Sequence, residues 1–469
     1  MVSSGVADST EPRTGPKEAR PDSGQRGRWR SPRARRRYVA VAGIALLAVC
    51  VLAIPWARHI AAGAADGVIR SSPLRLAVYL VWLVPLGELM MLLAGEAKYR
   101  FGFRTAPAKF RLLIIQVTTT GREMDRVNEI IGTIHGFRLG IPYEIWVVTE
   151  PDQGDGYPQA DWVLTVPESF TSRAHKKARA LCYSAQIRQS LGLDTADVKI
   201  LYNDDDVQPT KSYIEKAFAA DYDICEGITA PRAFYGGLPF GHFLASHVDD
   251  MRTRGCLIYC SVFQGLMGKP LHVHGEGLTV TGECERIVGW DWPVVASEDL
   301  VFGHNAAHMG MRWGWFREYV ELTSPWSFRE FLVQRKRWYW GNVHAVTHRD
   351  ALPLARAIPV AANGIFGTAT VLLSATGLAL RYTGHLPPNS PIFEVSKLSI
   401  ATWLVIFAMC GWIDASSRIH LHSDDSRILS AVGAVIMSPV SSLMTVFVML
   451  VALYQGDPRT FEVIRKTRT

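Results

Sequence analysis

Val198-Lys199-Ile200-Leu201-Tyr202-Asn203-Asp204-Asp205-Asp206 is the stretch on which the reading of this chain turns. Val198 to Tyr202 reads as a short buried strand, and it runs directly into three carboxylates. In open α/β sheets, ligands bind beyond the carboxyl ends of the strands. Asp204 and Asp206 are two residues apart, so on an extended chain they project to the same side. With oxygens from a diphosphate they can share a hard divalent cation. The same residues also read as a solvated acidic turn capping a helix that starts after Pro209.

On either side of this strand, strand-like runs alternate with helical ones. Arg111–Val117 and Tyr143–Val148 read as strands, and Arg126–His135 and Lys176–Ser190 as helices. Such alternation predicts one α/β domain with a largely parallel sheet over residues 108–350. About 240 residues are enough to bury a single core.

Beyond that block the chain becomes apolar at both ends. Tyr38 to Ala57 is long enough to cross a bilayer in about 20 residues, and Leu74 to Gly95 follows closely, which predicts a two-helix hairpin over 38–95 rather than a signal peptide. Ahead of it, residues 1–37 contain little to bury and are expected to be disordered. Seven arginines lie between Arg26 and Arg37, and such a flank belongs on the cytoplasmic side. Both ends of the hairpin, and the α/β domain after it, are then expected in the cytoplasm. Residues 351–455 should carry about three more membrane helices, near 360–380, 399–413 and 428–454. Three crossings set the tail at 456–469 outside, while Arg459, Arg465, Lys466 and Arg468 favour the inside. The sequence leaves that count open.

This distribution explains a mean hydropathy of +0.08 in a chain with 20% charged residues. It also accounts for the net charge of +7. The basic residues concentrate on a membrane flank, so membrane lipid is the expected partner and nucleic acid is not. Seven cysteines are scattered through the chain. Cys256, Cys260 and Cys284 lack the paired spacing of a zinc site and read as reduced thiols. His272 and His274 form a His-x-His pair that either holds a metal or simply shares a strand face.

Two further stretches carry chemistry. Ser297-Glu298-Asp299 precedes a helical run. Carboxylates there either cap the helix or, in a cleft, take a proton as general base. In Gln334-Arg335-Lys336-Arg337-Trp338, the first, fourth and fifth residues share one helix face. They offer an amide, a guanidinium matched to phosphate oxygens and a flat indole suited to a sugar ring. Arg335 and Lys336 read instead as part of a basic interfacial helix.

The order of these three motifs resembles glycosyltransferase family 2, in the membrane-integrated group that includes cellulose, chitin and hyaluronan synthases. Lys177-Ala178-Arg179-Ala180-Leu181, Ser297-Glu298-Asp299, Ser324-Pro325-Trp326-Ser327-Phe328 and Gln334-Arg335-Lys336-Arg337-Trp338-Tyr339-Trp340-Gly341 are most similar to egghead-type β-1,4-mannosyltransferases. Where that group carries an acidic triplet close to Asp-Glu-Glu, this chain has Asp204-Asp205-Asp206. The resemblance implies a GT-A (Rossmann-like) fold and an inverting transfer of a hexose from GDP-mannose or a UDP-sugar to a lipid-linked or glycan acceptor. By the same resemblance, Thr118, Thr119, Thr120, Glu150, Lys177, Asp204, Asp205 and Arg337 surround the nucleotide-sugar. Asp206 and Asp204 hold Mg²⁺ or Mn²⁺. Asp299 is the base, with Glu298 beside it, and Gln334, Trp338, Gly275 and Gly277 line the acceptor side. Two other functions compete: a processive synthase that secretes its polymer, and a catalytically dead, membrane-anchored nucleotide-binding protein. Nothing in the sequence sets an oligomeric state.

Overall fold

The computed structural model describes residues 77, 80–149, 156–231, 240–384, 391–417 and 424–458. The basic segment, the first apolar run, Glu150 and the tail from 459 lie outside them.

Eight strands form one sheet, in the order β3-β2-β1-β4-β7-β6-β8-β5. They are β1 (Leu112–Thr118), β2 (Tyr143–Thr149), β3 (Trp162–Thr165), β4 (Val198–Asp204), β5 (Val207–Pro209), β6 (Ile224–Pro231), β7 (Thr279–Thr281) and β8 (Trp313–Leu322). β1 pairs in parallel with β2 and β4, and β2 with β3, which gives the parallel half. β7 runs antiparallel between β4 and β6 and turns the sheet into a mixed one. Parallel pairing returns between β6 and β8, so the antiparallel members of the sheet are β7 and the edge strand β5. The whole is a GT-A-like mixed α/β sheet.

Both faces of the parallel half are covered, which is why these strands are apolar throughout. Side-chain alternation sorts them. Leu113, Ile115, Ile145 and Leu201 pack on one face with Val127, Ile130, Ile131 and Ile134 of α2 (Met124–Gly136). Those four α2 residues follow the spacing of a single helical stripe. Ile114, Trp146, Ile200 and Tyr202 pack on the other face, with α3 (Lys177–Ser190) and α7 (Glu298–His308). Asp204 continues the series Ile200, Tyr202, so it is directed toward the face covered by α3 and α7.

Beneath that face lies a buried polar network. Arg188 of α3, fully buried, donates to Glu285 Oε2 at 2.8 Å and to Gln116 Oε1 at 2.5 Å. Tyr202 and Trp290 close on the same Glu285 carboxylate. Glu285 belongs to α6 (Gly282–Val288), so the network ties α3, β1, β4 and α6 together.

α1 (Val84–Gly102) precedes the sheet, and α4 (Lys211–Ala219) covers the α2 side. After β6, α5 (Phe240–Gly255) runs into a π-helical turn at Cys256–Cys260. α8 (Phe328–Thr347) follows β8 and opens on a serine cap. Ser327 Oγ accepts from the Glu330 amide at 3.2 Å and donates to Glu330 Oε2 at 3.2 Å.

Three helices then follow: α9 (Leu354–Tyr382), α10 (Pro391–Ser417) and α11 (Asp424–Gln455). Each contains a stretch long and apolar enough to cross a membrane, the middle one over Ser396–Ile413. Exposed Ile365, Phe366, Ile436, Leu443 and Leu450 suit a lipid environment. Of the second apolar run at the N-terminus, the described part is helical and continues past Gly95 to Gly102. It carries a buried Glu88 that pairs with Arg254 and accepts from the Tyr259 hydroxyl at 2.6 Å.

Candidate active site

The carboxyl ends of β1 and β4 lie side by side, with Thr118 in register with Asp204. β4 ends at Asp204, and Asp205 and Asp206 form a tight turn before β5. Strand alternation therefore carries the argument only to Asp204, and the turn sets the direction of the other two. Asp205 points back toward β1, where Thr119 Oγ1 donates to its Oδ2 at 3.0 Å. Asp206 is 4% exposed. Thr120, one residue past Thr119, is exposed at the rim.

From the helices above this sheet face come Lys177 and Glu298. Lys177 Nζ sits 2.5 Å from Asp204 Oδ1 and 3.5 Å from Glu298 Oε1. Burial alone would lower the ammonium pKa, but Asp204, Glu298 and Asp299 together raise it above the usual lysine value. Lys177 thus stays charged throughout the working pH range.

Asp299 follows Glu298 at the start of α7. Burial and the neighbouring Glu298 carboxylate push its carboxyl up to about 7, against the pull of Lys177. Ser297 makes no cap bond and adopts a left-handed conformation at φ 63°, a strained choice for a residue with a side chain. Its hydroxyl donates instead to Asn342 Oδ1 of α8 at 2.9 Å. Gly341 lets the two elements meet: a Cβ there would stand 2.7 Å from Ser297 Oγ and 2.9 Å from Ala296 Cβ. Gly341→Ala is therefore expected to push α8 off the Ser297 turn, costing about 1–3 kcal/mol by overpacking. Turnover should fall further than the melting temperature suggests, because the turn aims Asp299. Circular dichroism melts beside initial rates would test this, and unchanged rates would remove the turn from the site.

The segment between β6 and β7 lies over the same carboxylates. A Cβ on Gly275 would be 3.0 Å from Lys177 Nζ and 3.2 Å from Asp299 Oδ2. Gly277, at φ 81°, passes its carbonyl to the Tyr213 hydroxyl at 2.7 Å. Between these glycines stands Glu276, paired with Arg252 of α5 at 2.8 Å. Burial would raise this carboxyl, but Arg252, with His274 and Lys177 further off, holds it down to about 2. Sequence reasoning missed both residues. A carboxylate between two glycines in the expected acceptor loop was the available signal for Glu276. Arg252 had none, since its helix reads as an ordinary charged one.

α8 closes the site. Burial pulls the Arg337 guanidinium below its usual pKa, opposed by Glu298, Asp204, Asp206 and Glu276, so it lies in the field of four carboxylates. Gln334 is 4% exposed and its Oε1 is a buried acceptor without a hydrogen-bond donor among the described residues. The Arg252 and Arg335 guanidinium carbons lie 4.9 and 4.3 Å from the centroid of the Trp338 ring, so cations stack on the indole expected on the acceptor side. Arg335 departs from expectation. Rather than serving as a solvated interfacial base, it pairs with the buried Asp249, which accepts from Ser324 Oγ at 2.5 Å.

The site thus gathers Asp204, Asp205, Asp206, Glu276, Glu298 and Asp299 against three cations, Lys177, Arg252 and Arg337. That donor set is all hard oxygen and leaves an excess of negative charge. Both features suit Mg²⁺ or Mn²⁺ with a diphosphate. A second group of different chemistry, Cys256, Cys260 and His274, comes together behind the same segment, which spacing alone argued against.

Residues 199–414 match the family model described as glycosyl transferase family group 2. That match supports a glycosyltransferase and covers the acidic triplet, Asp299 and α8. Among solved structures, the chain is similar to a mannosyltransferase from Pyrobaculum calidifontis, solved in complex with GDP-Man and Mn²⁺. The two are 14% identical with a TM-score of 0.44, over 80% of this chain and 99% of that one. No curated protein matches.

Proposed function

We propose that this chain is an inverting, membrane-integrated glycosyltransferase. On this reading it moves a hexose from a nucleotide-diphosphate sugar, GDP-mannose or a UDP-sugar, onto a hydroxyl of a lipid-linked or glycan acceptor and forms a β-linkage. The observation that carries it is Asp299, a half-buried carboxyl poised near neutrality within the same cluster as Lys177, Asp204 and Arg337.

Thr118, Thr119 and Asp205 border the nucleotide, with Thr120 at the rim. Asp204 and Asp206 would hold Mg²⁺ or Mn²⁺, which neutralises charge on the leaving diphosphate. Lys177 and Arg337 add fixed positive charge to the same oxygens. The acceptor oxygen attacks the anomeric carbon as the bond from that carbon to the phosphate oxygen breaks on the opposite face. Asp299 takes the hydroxyl proton, and the nucleotide diphosphate leaves. Glu298 keeps Asp299 basic by repulsion. Gly275 and Gly277 allow the acceptor loop to approach without a side chain in the way, and the buried Gln334 amide is positioned by α8 to hydrogen-bond a sugar. Because α8 leads into the apolar helices, an acceptor held at the bilayer surface suits this site better than a free sugar. Single addition is the form we favour, and the arginine flank at 26–37 supports a cytoplasmic catalytic domain.

A thermal-shift screen of the purified full chain against GDP, UDP and their sugars, each with Mn²⁺, tests the reading. A true donor at about 100 times its dissociation constant stabilises by about 2.7 kcal/mol. If no nucleotide shifts the melting temperature, the proposal fails at its first step.

A further inference from the structure

The segment that carries Gly275 is anchored behind the active site by groups that the transfer reaction does not use. Cys256 and Cys260 stand four positions apart at the two ends of the π-helical turn, and both are buried. π-turns of this kind concentrate at functional positions. His274 approaches from the loop before β7. One ligand atom from each of the three lies within 4.8 Å of the others. Cys256 Sγ is 3.8 Å from His274 Nε2. Bonds of about 2.3 Å to sulfur and about 2.0 Å to nitrogen at a tetrahedral angle set those atoms about 3.5 Å apart.

The surroundings are those of a ligand set. Glu226 Oε1 lies 3.0 Å from His274 Nδ1, so Nδ1–H donates to a carboxylate and Nε2 is left to coordinate. That carboxylate is itself fixed: Gln264 Nε2 donates to Oε1 at 2.6 Å, and the His274 amide donates to Oε2 at 3.0 Å. A break in register between Glu226 and Ile228 of β6 marks a bulge next to Glu226, a device that re-aims a strand residue. The Thr229 amide donates to Cys256 Sγ at 3.4 Å, as amides do toward a sulfur that carries charge. Glu226 is 1% exposed, and burying a carboxylate this deeply is costly unless it serves a cation or its ligand.

We propose that Cys256, Cys260 and His274 bind a zinc ion, with Glu226 orienting His274 from behind. Two thiolates and an imidazole are a borderline-soft set that selects zinc over manganese or magnesium. This centre is therefore distinct from the carboxylate site at Asp204 and Asp206. Its role is positional. His274 precedes Gly275, whose Cα faces Lys177 and Asp299, so zinc would clamp the acceptor loop to α5 and fix the approach to the base.

Metal content decides the matter without any turnover. The full chain, purified in mild detergent from zinc-supplemented cells and passed through a desalting column, should carry about one zinc per chain. The Cys256→Ser/Cys260→Ser double variant should lose nearly all of it, and Glu226→Gln should bind zinc about 10- to 100-fold more weakly. Should the double variant fail to fold, the wild type still answers: exchanged into cobalt, it should show a thiolate-to-cobalt charge-transfer band. Absence of both zinc and that band overturns the proposal. So does zinc that persists in a folded double variant, or a Cys256–Cys260 disulfide found by mass spectrometry in the protein as purified. A chain that fails to bind any nucleotide leaves this test untouched.

Discussion

Asp299→Asn is expected to keep nucleotide affinity within a small factor of wild type while lowering turnover by about 10²–10⁴-fold, the range for a lost general base. The substitution preserves shape and removes only the ability to accept a proton. The pH dependence follows from the carboxyl held at about 7. A base must be ionised to act, so kcat/KM should fall tenfold per pH unit below about 7 and level off above it. The variant's residual rate should lose that slope. A second readout runs the other way. The folded-state pKa lies above the unfolded carboxylate range, so ionising Asp299 opposes folding as pH rises between the two values. Asp299→Asn removes that opposition and should melt higher than wild type at pH 8. Retention of more than about a tenth of wild-type turnover would move the base elsewhere.

Asp206→Ala should abolish the mutual tightening of nucleotide diphosphate and Mn²⁺. In the wild type, coupling of about 5- to 150-fold is expected, and by linkage it is the same in both directions. The reason is the donor set: of the six carboxylates only Asp204 and Asp206 are proposed as metal ligands, and two side chains with no diphosphate leave the shell incomplete. Asp205→Ala should behave differently. Asp205 accepts from Thr119, which shapes the β1 end, so the variant should bind nucleotide more weakly and still respond to the metal. Calorimetric titration of nucleotide with and without Mn²⁺ separates them. Equal wild-type affinities in the two titrations would reduce the triplet to a turn.

Much of this was legible because local rules sufficed. β1, β2, β4, α2 and α3 lie within one or two residues of the expected runs; the strands are apolar and α2 carries a single clear stripe. Lys177, Asp204, Asp205, Asp206, Glu298 and Asp299 came from strand ends and helix starts that the motifs already marked, whereas Glu276 and Arg252 did not. Legibility ended where the chain doubled back. β7 is three residues long and pairs with β4 and β6 through contacts far apart in sequence, so no local pattern announces the mixed sheet. Arg335 was misjudged for a related reason. Helical spacing fixes which residues share a face, but its partner, Asp249, comes from α5. Cys256, Cys260 and His274 escaped the spacing rules because a π turn and a strand bulge, rather than a short loop, bring them together.

One helix belongs to two worlds. α8 contributes Gln334 and Arg337 to the cleft, meets Ser297 through Gly341 and Asn342, and packs against α9 and α11. Its Trp340 Nε1 donates to the Ala452 carbonyl of α11 at 3.0 Å. Twenty residues of helix make a rod of about 30 Å, stiff enough that neither end tilts alone. Any change in the slant of α11, as a thicker or thinner bilayer imposes, is a torque on the guanidinium and on the strained turn that aims the base. On the proposed reading, lipid would be part of the transferase's mechanics, and turnover should change with bilayer thickness or micelle girth with no atom of the cleft touched.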